Sequence, residues 1–303
     1  MLWGRVRAFQ RLTLFAGRAH GGALLVALCA ATVLVGHVQA ASAGDQLLQP
    51  EAYLLGVFPY VPVLAVDRIY GPVAAQFAED LGRPVHLKTK PTFGKFAEEL
   101  RKETYDIILV HPFFYVEARD EHHYVPLARL EEPLTAVVMV SDDDPLETLA
   151  DLKGKTIGLP PALAAVTELV RASLLDAGLL PGVNVALEHY RSKPSCLQAV
   201  RVGRAAACGL PRFALSQIDP HNEWKLRLLF ETEPVSNFLF AAHARVPESD
   251  RIDLGKSILA WPFTANGRKI LAGGAWNRFV SARDQDYDEI RRHMLRLQRF
   301  AER

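Results

Sequence analysis

The sequence predicts a two-lobed α/β protein with a cleft between the lobes, and three observations carry that prediction. Residues 105–115 read YDIILVHPFFY, in which Ile107, Ile108, Leu109 and Val110 form an apolar run without period-two alternation. A strand covered on both faces has that pattern, and its usual setting is a parallel sheet between layers of helices. A β-α-β-α-β order occurs twice, over residues 53–110 and again over 156–210, with short connections each time. The chain then closes with two further strands and a helical tail. The run at 107–110 stops at His111-Pro112, because proline cannot donate to a ladder, and Phe113, Phe114 and Tyr115 follow at once. Ligands of open α/β sheets sit outside the carboxyl ends of the strands, so His111 to Tyr115 is the first candidate site.

The elements follow in order. Residues 53–57 read as a strand and Phe58-Pro59-Tyr60-Val61-Pro62 as its exit loop. Ile69, Val73, Phe77 and Leu81 repeat every four residues, with Asp67 at the start and Gly82 then Pro84 at the end, which predicts a helix. Residues 85–88 are a second strand, and Thr92 is placed to cap a helix that turns Phe93, Phe96 and Leu100 inward. A strand at 135–140, a charged turn at 141–145 and the stretch LADLKGK lead to a strand at 156–159, which Pro160-Pro161 ends. Val166, Val170 and Leu174 mark the next helix, which runs to Gly178. Val183, Val185 and Leu187 alternate as a strand ending at Tyr190, a helix covers 195–202, and a small-residue strand at 205–210 stops at Pro211. Residues 226–230 and 238–243 are the later strands, and Tyr287, Ile290, Met294 and Leu297 form one stripe of the closing helix.

The whole chain has 303 residues, half of them hydrophobic, and a formal net charge of +1, which gives no electrostatic case for nucleic acid. Arg5, Arg7, Arg11 and Arg18 precede an apolar block at 23–35, and Val38-Gln39-Ala40 follows it. That is the plan of a secretory signal cleaved after Ala40, with an apolar block too short to span a bilayer. The other readings are an uncleaved anchor and a lipoprotein, the latter opposed by Leu28 before Cys29. Removing residues 1–40 leaves Cys196 and Cys208, an even count in an oxidising compartment. One would start a helix and the other end the following strand, at the same edge of a βα layer. A bridge there stabilises by roughly 3 kcal/mol in the chain-entropy model, and two buried free thiols are the alternative. His122-His123 suggests a metal, yet no further ligand falls at useful spacing, so a surface pair is expected and no metal or other cofactor. No Walker loop, no G-x-S-x-G and no G-x-G-x-x-G after a strand occurs, so no enzyme is announced.

With these elements placed, residues 55–118 (LGVFPYVPVLAVDRIYGPVAAQFAEDLGRPVHLKTKPTFGKFAEELRKETYDIILVHPFFYVEA) and 137–160 (VVMVSDDDPLETLADLKGKTIGLP) can be compared with known families. They resemble the periplasmic phosphate/phosphite/phosphonate-binding proteins of ABC importers, as does the tail AWNRFVSARDQDYDEIRR with its Asp286-Tyr287-Asp288 step. The resemblance implies a type II periplasmic-binding fold. Its first lobe would be 50–133 plus 237–303 and its second an inserted 134–236, hinged near 132–135 and 234–237. It implies capture of a small anionic solute by hinge closure, delivery to an inner-membrane ABC permease, a periplasmic location and a monomer. The alternative is a ligand-sensing partner of a membrane histidine kinase on the same fold.

The resemblance also places ligand contacts on strand-end loops. Here these are Tyr60, His111, Tyr115, the helix start at Ala162 and Ala164, and Ser192, Lys193 and Ser195. Phosphonate binders enrich the helix start in hydroxyls; here none comes before Thr167, and Pro161 has no N–H to give. Backbone donors at the positive end of the helix remain. Lys193 stands where the family often has histidine, which keeps a cation for an anionic ligand. No acid stands near Ala206, where the family commonly has aspartate, so an amino-bearing ligand is less expected. Arg212, just past the last strand of the second unit, either adds positive charge there or faces solvent.

Overall fold

The computed structural model describes residues 51–301 apart from Pro220. The expected signal segment, residues 1–40, lies outside them. Among the described residues no helix is long and apolar enough to cross a membrane. The chain begins β1 (Tyr53–Val57), α1 (Val63–Leu81), β2 (Val85–Lys88), α2 (Phe93–Arg101), β3 (Ile107–Val110), α3 (Pro112–His122) and β4 (Tyr124–Leu130). It continues with β5 (Ala136–Ser141), β6 (Thr156–Leu159), α4 (Ala165–Asp176), β7 (Ala186–His189), α5 (Lys193–Arg201), β8 (Ala207–Pro211), α6 (Phe213–Ile218) and β9 (Leu226–Glu231). The last part is β10 (Leu239–His243), α7 (Glu248–Ala260), α8 (Ala265–Gly274), β11 (Phe279–Ser281) and α9 (Asp288–Ala301).

Two sheets result, in the orders β11-β4-β10-β3-β1-β2 and β7-β6-β8-β5-β9. Each contains a parallel trio in which the second strand of the unit flanks the first and the third lies on the far side: β2-β1-β3 and β7-β6-β8. An antiparallel strand then pairs with the third strand of each trio, β10 on β3 and β5 on β8. The duplicated winding that the sequence predicts is therefore present, and all four residues of β3 are buried, as a strand covered on both faces requires.

Departures from the expected elements have local causes. Strand β4 was not expected because Pro126 interrupts it, and proline normally demotes a run to an edge. Here the register between β4 and β10 shifts at Phe240/Ala241, and Pro126 sits opposite Ala241 at that irregularity. Helix α1 starts at Val63, after Pro62 and ahead of Asp67; Val63 and Leu64 are exposed, so the apolar stripe does not mark this first turn. The strand expected to include Val183 begins only at Ala186 and ends at His189: Val183 is 76% exposed in the turn before β7, an edge strand. Thr92 caps α2 as expected, accepting from the Lys95 N–H at 3.2 Å.

Cys196 and Cys208 form a disulfide with Cα atoms 5.8 Å apart, joining α5 to β8. Both sulfurs lie in the interior beside Val137, Leu197, Val200 and Leu210. Gly158 on β6 makes room for them, since a Cβ there would stand 2.9 Å from the Cys196 sulfur and 3.0 Å from the Tyr190 ring.

The chain passes between the sheets twice, from β4 to β5 and from β9 to β10. The two passages are tied together. Leu134 and Val235 exchange backbone hydrogen bonds of 2.8 and 3.0 Å. The buried Asn237 side chain donates to the Glu132 carbonyl at 2.9 Å and accepts from the Phe238 N–H, and Tyr287 donates to the Asn237 carbonyl. The Thr232 hydroxyl oxygen accepts from the Ala136 N–H at 3.0 Å.

Candidate functional site

The carboxyl ends of the parallel strands carry the expected loops, and one of them crosses from the first sheet's elements to the second's. His111 is the N-cap of α3, and its Nδ1 accepts from the Phe114 N–H at 3.3 Å. That bond makes Nδ1 the unprotonated nitrogen, so Nε2 carries the hydrogen and donates to the Leu163 carbonyl at 3.0 Å. Leu163 belongs to the turn between β6 and α4. The imidazole is only 3% exposed, stacks on Phe114 at 4.2 Å between centroids, and meets the Phe58 ring edge-on at 5.5 Å. Burial pushes its pKa down to about 3, so the ring is neutral wherever the protein is folded near neutral pH.

Tyr60 continues this wall. Its half-buried ring stacks on Phe58 at 4.4 Å and tilts against Phe238 at 5.8 Å. Its hydroxyl lies on the side of Tyr70 and Trp276, and burial pushes its pKa up to about 12. Phe238 and Trp276 were not named as site residues from sequence; the aromatic exit loop with Phe58 and Tyr60 was visible, but these two partners come from residues far along the chain.

The turn after β6 is held from both sides. Thr167 donates its hydroxyl to the carbonyls of Pro160 and Pro161, each at 3.1 Å, and His189 Nδ1 donates to the Pro160 carbonyl at 2.6 Å. The first hydroxyl of this segment is therefore turned to the protein's own backbone. Among the described residues no side chain caps α4 at Ala164, so its first N–H groups are left for another acceptor. Ala162 is exposed and Ala164 buried at this helix start. Glu168 in the first turn is partly buried and pairs with Arg171 at 3.2 Å, and desolvation raises its pKa.

At the start of α5, Ser192 is the N-cap and accepts from the Ser195 N–H at 3.2 Å. Ser192 donates to the Ser195 hydroxyl, which donates to the Ser192 carbonyl at 2.7 Å, so both hydroxyls serve the cap. Lys193 is left as the group of this loop with capacity to spare. Its ammonium stands 5.7 Å over the Phe213 ring, burial lowers its pKa, and no carboxylate lies within ion-pairing distance of it among the described residues. Beside Phe213 a cavity of about 360 Å³ opens against the passages between the sheets, lined by Glu132, Thr135, Arg212, Glu231 and Thr232 as well. Arg212 pairs with Glu231 there.

Tyr115 is placed differently from the other candidates. It is fully buried, its hydroxyl donates to Asp284 at 2.9 Å and its ring packs on Tyr287 at 4.5 Å. As a residue of the first turn of α3 it faces the C-terminal segment, so its hydroxyl has no freedom to meet a solute. The structure thus brings Tyr60, His111 and the turn at 162–164 into one cluster, and sets Lys193 beside Phe213.

Two sheets of one winding, joined by a pair of passages and meeting through strand-end loops, define the type II periplasmic binding protein fold. Solved structures of that fold align along most of the chain. They include a binding protein component of an ABC phosphonate transporter from Pseudomonas aeruginosa (TM-score 0.69, 15% identity, 84% of this chain and 88% of that one). PhnD1 from Prochlorococcus marinus, solved in complex with methylphosphonate, gives a TM-score of 0.71 at 16% identity over 82% of this chain and 99% of that one. A Xanthomonas citri protein bound to ATP also reaches 0.71, at 15% identity over 84% and 99%. These likenesses speak for the fold. No curated protein is significantly similar to the chain in sequence. The family model for the phosphonate ABC transporter periplasmic substrate-binding protein matches residues 55–287. The chain belongs to that family: it is the substrate-binding component of an ABC transporter, which works with a permease and has no enzymatic role.

Proposed function

We propose that the mature chain, beginning at Ala41, captures a small anionic solute of the phosphonate, phosphite or phosphate type between two lobes and delivers it as a monomer. The lobes are 50–133 plus 237–303 and 134–236, with the passages at 132–135 and 234–237 as hinge. The observation that carries this reading is the His111 to Leu163 hydrogen bond, in which strand-end loops of the two sheets meet directly. Positive potential for the solute comes from the uncapped start of α4 and from Lys193. Tyr60, Phe58 and His111 form an apolar wall that limits its size and shape. The hydroxyls of Ser192, Ser195 and Thr167 are occupied by backbone and by each other, so backbone N–H groups carry more of the recognition than side chains do.

The family is a transport family, and no observation in the fold or at the loops favours the histidine-kinase role. Isothermal calorimetry of the mature protein against phosphate, phosphite, methylphosphonate and small organic carboxylates and sulfonates tests the proposal. Saturable one-to-one binding of at least one of the phosphorus oxyanions is expected. Silence toward all of these anions would overturn the reading.

A further inference from the structure

The histidine pair at 122–123 acquires partners in the structure that linear spacing conceals. Glu117 and Glu121 lie one turn apart on α3, and His122 ends that helix. One donor atom from each of the three lies within 4.8 Å of the others. The Nε2 of His122 is buried and has no hydrogen-bond partner among the described residues. Its Nδ1 faces a Glu103 oxygen at 3.6 Å, and Glu103 is held in turn by His243 Nε2 at 3.2 Å. Glu117 uses one oxygen to accept from Arg101 Nε at 2.5 Å, which leaves its second oxygen, and Glu121 is exposed.

We propose that Glu117, Glu121 and His122 bind a divalent metal ion of the zinc class at the C-terminal end of α3. The donor set is one imidazole and two carboxylates, which suits zinc better than the all-oxygen preference of calcium or magnesium. Three protein donors leave a fourth tetrahedral position for water. With bonds of about 2.0–2.2 Å, tetrahedral donors stand roughly 3.4 Å apart. Small side-chain rotations of Glu117 and of the exposed Glu121 would be needed to bring the donors from within 4.8 Å to that spacing. Ligating histidines characteristically give their other ring N–H to a carboxylate, and Glu103 stands in that place. A buried nitrogen without a partner is otherwise a destabilising feature, and the ion removes it. The site lies at the opposite end of α3 from His111 and does not depend on which solute the protein carries.

The test uses the mature protein without an affinity tag, dialysed against EDTA and titrated with ZnCl₂ by calorimetry. Cobalt(II) absorption reports the coordination geometry. One equivalent of zinc and a tetrahedral cobalt spectrum are expected. His122→Ala and Glu121→Gln should each weaken binding tenfold or more. Glu103→Gln, acting through the imidazole, should weaken it about tenfold, and His123→Ala should leave it unchanged. Circular dichroism of the metal-free variants shows whether each is folded, and Glu121 is exposed enough for its variant to keep the fold. Absence of saturable binding, survival of binding in folded His122→Ala and Glu121→Gln, or loss of binding in His123→Ala would each overturn the assignment.

Discussion

A histidine with both ring nitrogens engaged and almost no solvent around it behaves as a fixed neutral connector, and His111 is such a group. Its pH behaviour follows from the depressed pKa, about 3 in the folded protein against an ordinary value of 6.5. Between those limits the unfolded chain takes up a proton that the folded one refuses, so stability rises with pH in this window. The contribution is complete above pH 6.5 and falls as the pH drops from there toward 3. At pH 5 the loss is about 2 kcal/mol from this one group. Thermal melts at pH 7.5 and 5 should therefore show a drop larger by about 5 °C in the native protein than in His111→Gln. Equal drops would mean that other groups set the acid response. Lys193 supports a second prediction at this scale. Lys193→Gln removes a half-buried cation with no carboxylate partner among the described residues, and should weaken binding of a phosphorus oxyanion about tenfold in calorimetry, with a shallower salt dependence.

The β6–α5–β8 layer shows how one element is built around a covalent tie. Gly158 exists there for the space of the Cys196 sulfur and the Tyr190 ring, so Gly158→Ala should cost about 1–3 kcal/mol through overpacking. The double change Cys196→Ser with Cys208→Ser should cost about 3 kcal/mol, since the bridge closes a loop of sequence separation 12. Urea unfolding under non-reducing conditions measures both. Because α5 begins with Ser192 and Lys193, the bridge also anchors the loop that presents the cation, and the double variant should lose part of its anion affinity as well. The pairing was legible from the even count of cysteines in an oxidising compartment, although Cys208 stands near the start of β8 and not at its end as expected. The role of Gly158 was not, since the sulfur it faces lies 38 positions further on (196 minus 158).

For the whole molecule the decisive region is the pair of passages between the sheets. Asn237 is buried there and fastens one passage to the other through Glu132. Replacing it with leucine removes that bond and the one to the Phe238 N–H, leaving that buried backbone donor without a partner. Stability should fall by about 2–4 kcal/mol. Small-angle scattering should show a larger radius of gyration for the unliganded variant, reduced again by a bound oxyanion. An unchanged radius would show that the passages do not govern the spacing of the lobes. The ion pair between Arg296 on α9 and Asp176 at 3.1 Å joins elements of different sheets too, but both partners are solvent-exposed and it adds little.

The sequence by itself determined the strands of both parallel trios, the two-lobed plan and the strand-end loops to examine, and it pointed to a bridge between Cys196 and Cys208 while leaving free thiols open. Each of these rests on short-range patterns: apolar runs, caps, breaks at proline and glycine, and residue types at an edge. Strand β4 escaped because its proline is tolerated only through the register shift opposite Phe240/Ala241. The tertiary structure alone decided which loop residues are free to act. Whether a hydroxyl or imidazole meets a solute depends on which distant backbone group reaches it first. Thr167 was taken by Pro160 and Pro161, Tyr115 by Asp284, and His111 by Leu163, while Lys193 found no acid among the described residues. The same logic placed Glu117 and Glu121 beside His122, since helix geometry sets neighbours by angle and linear spacing does not.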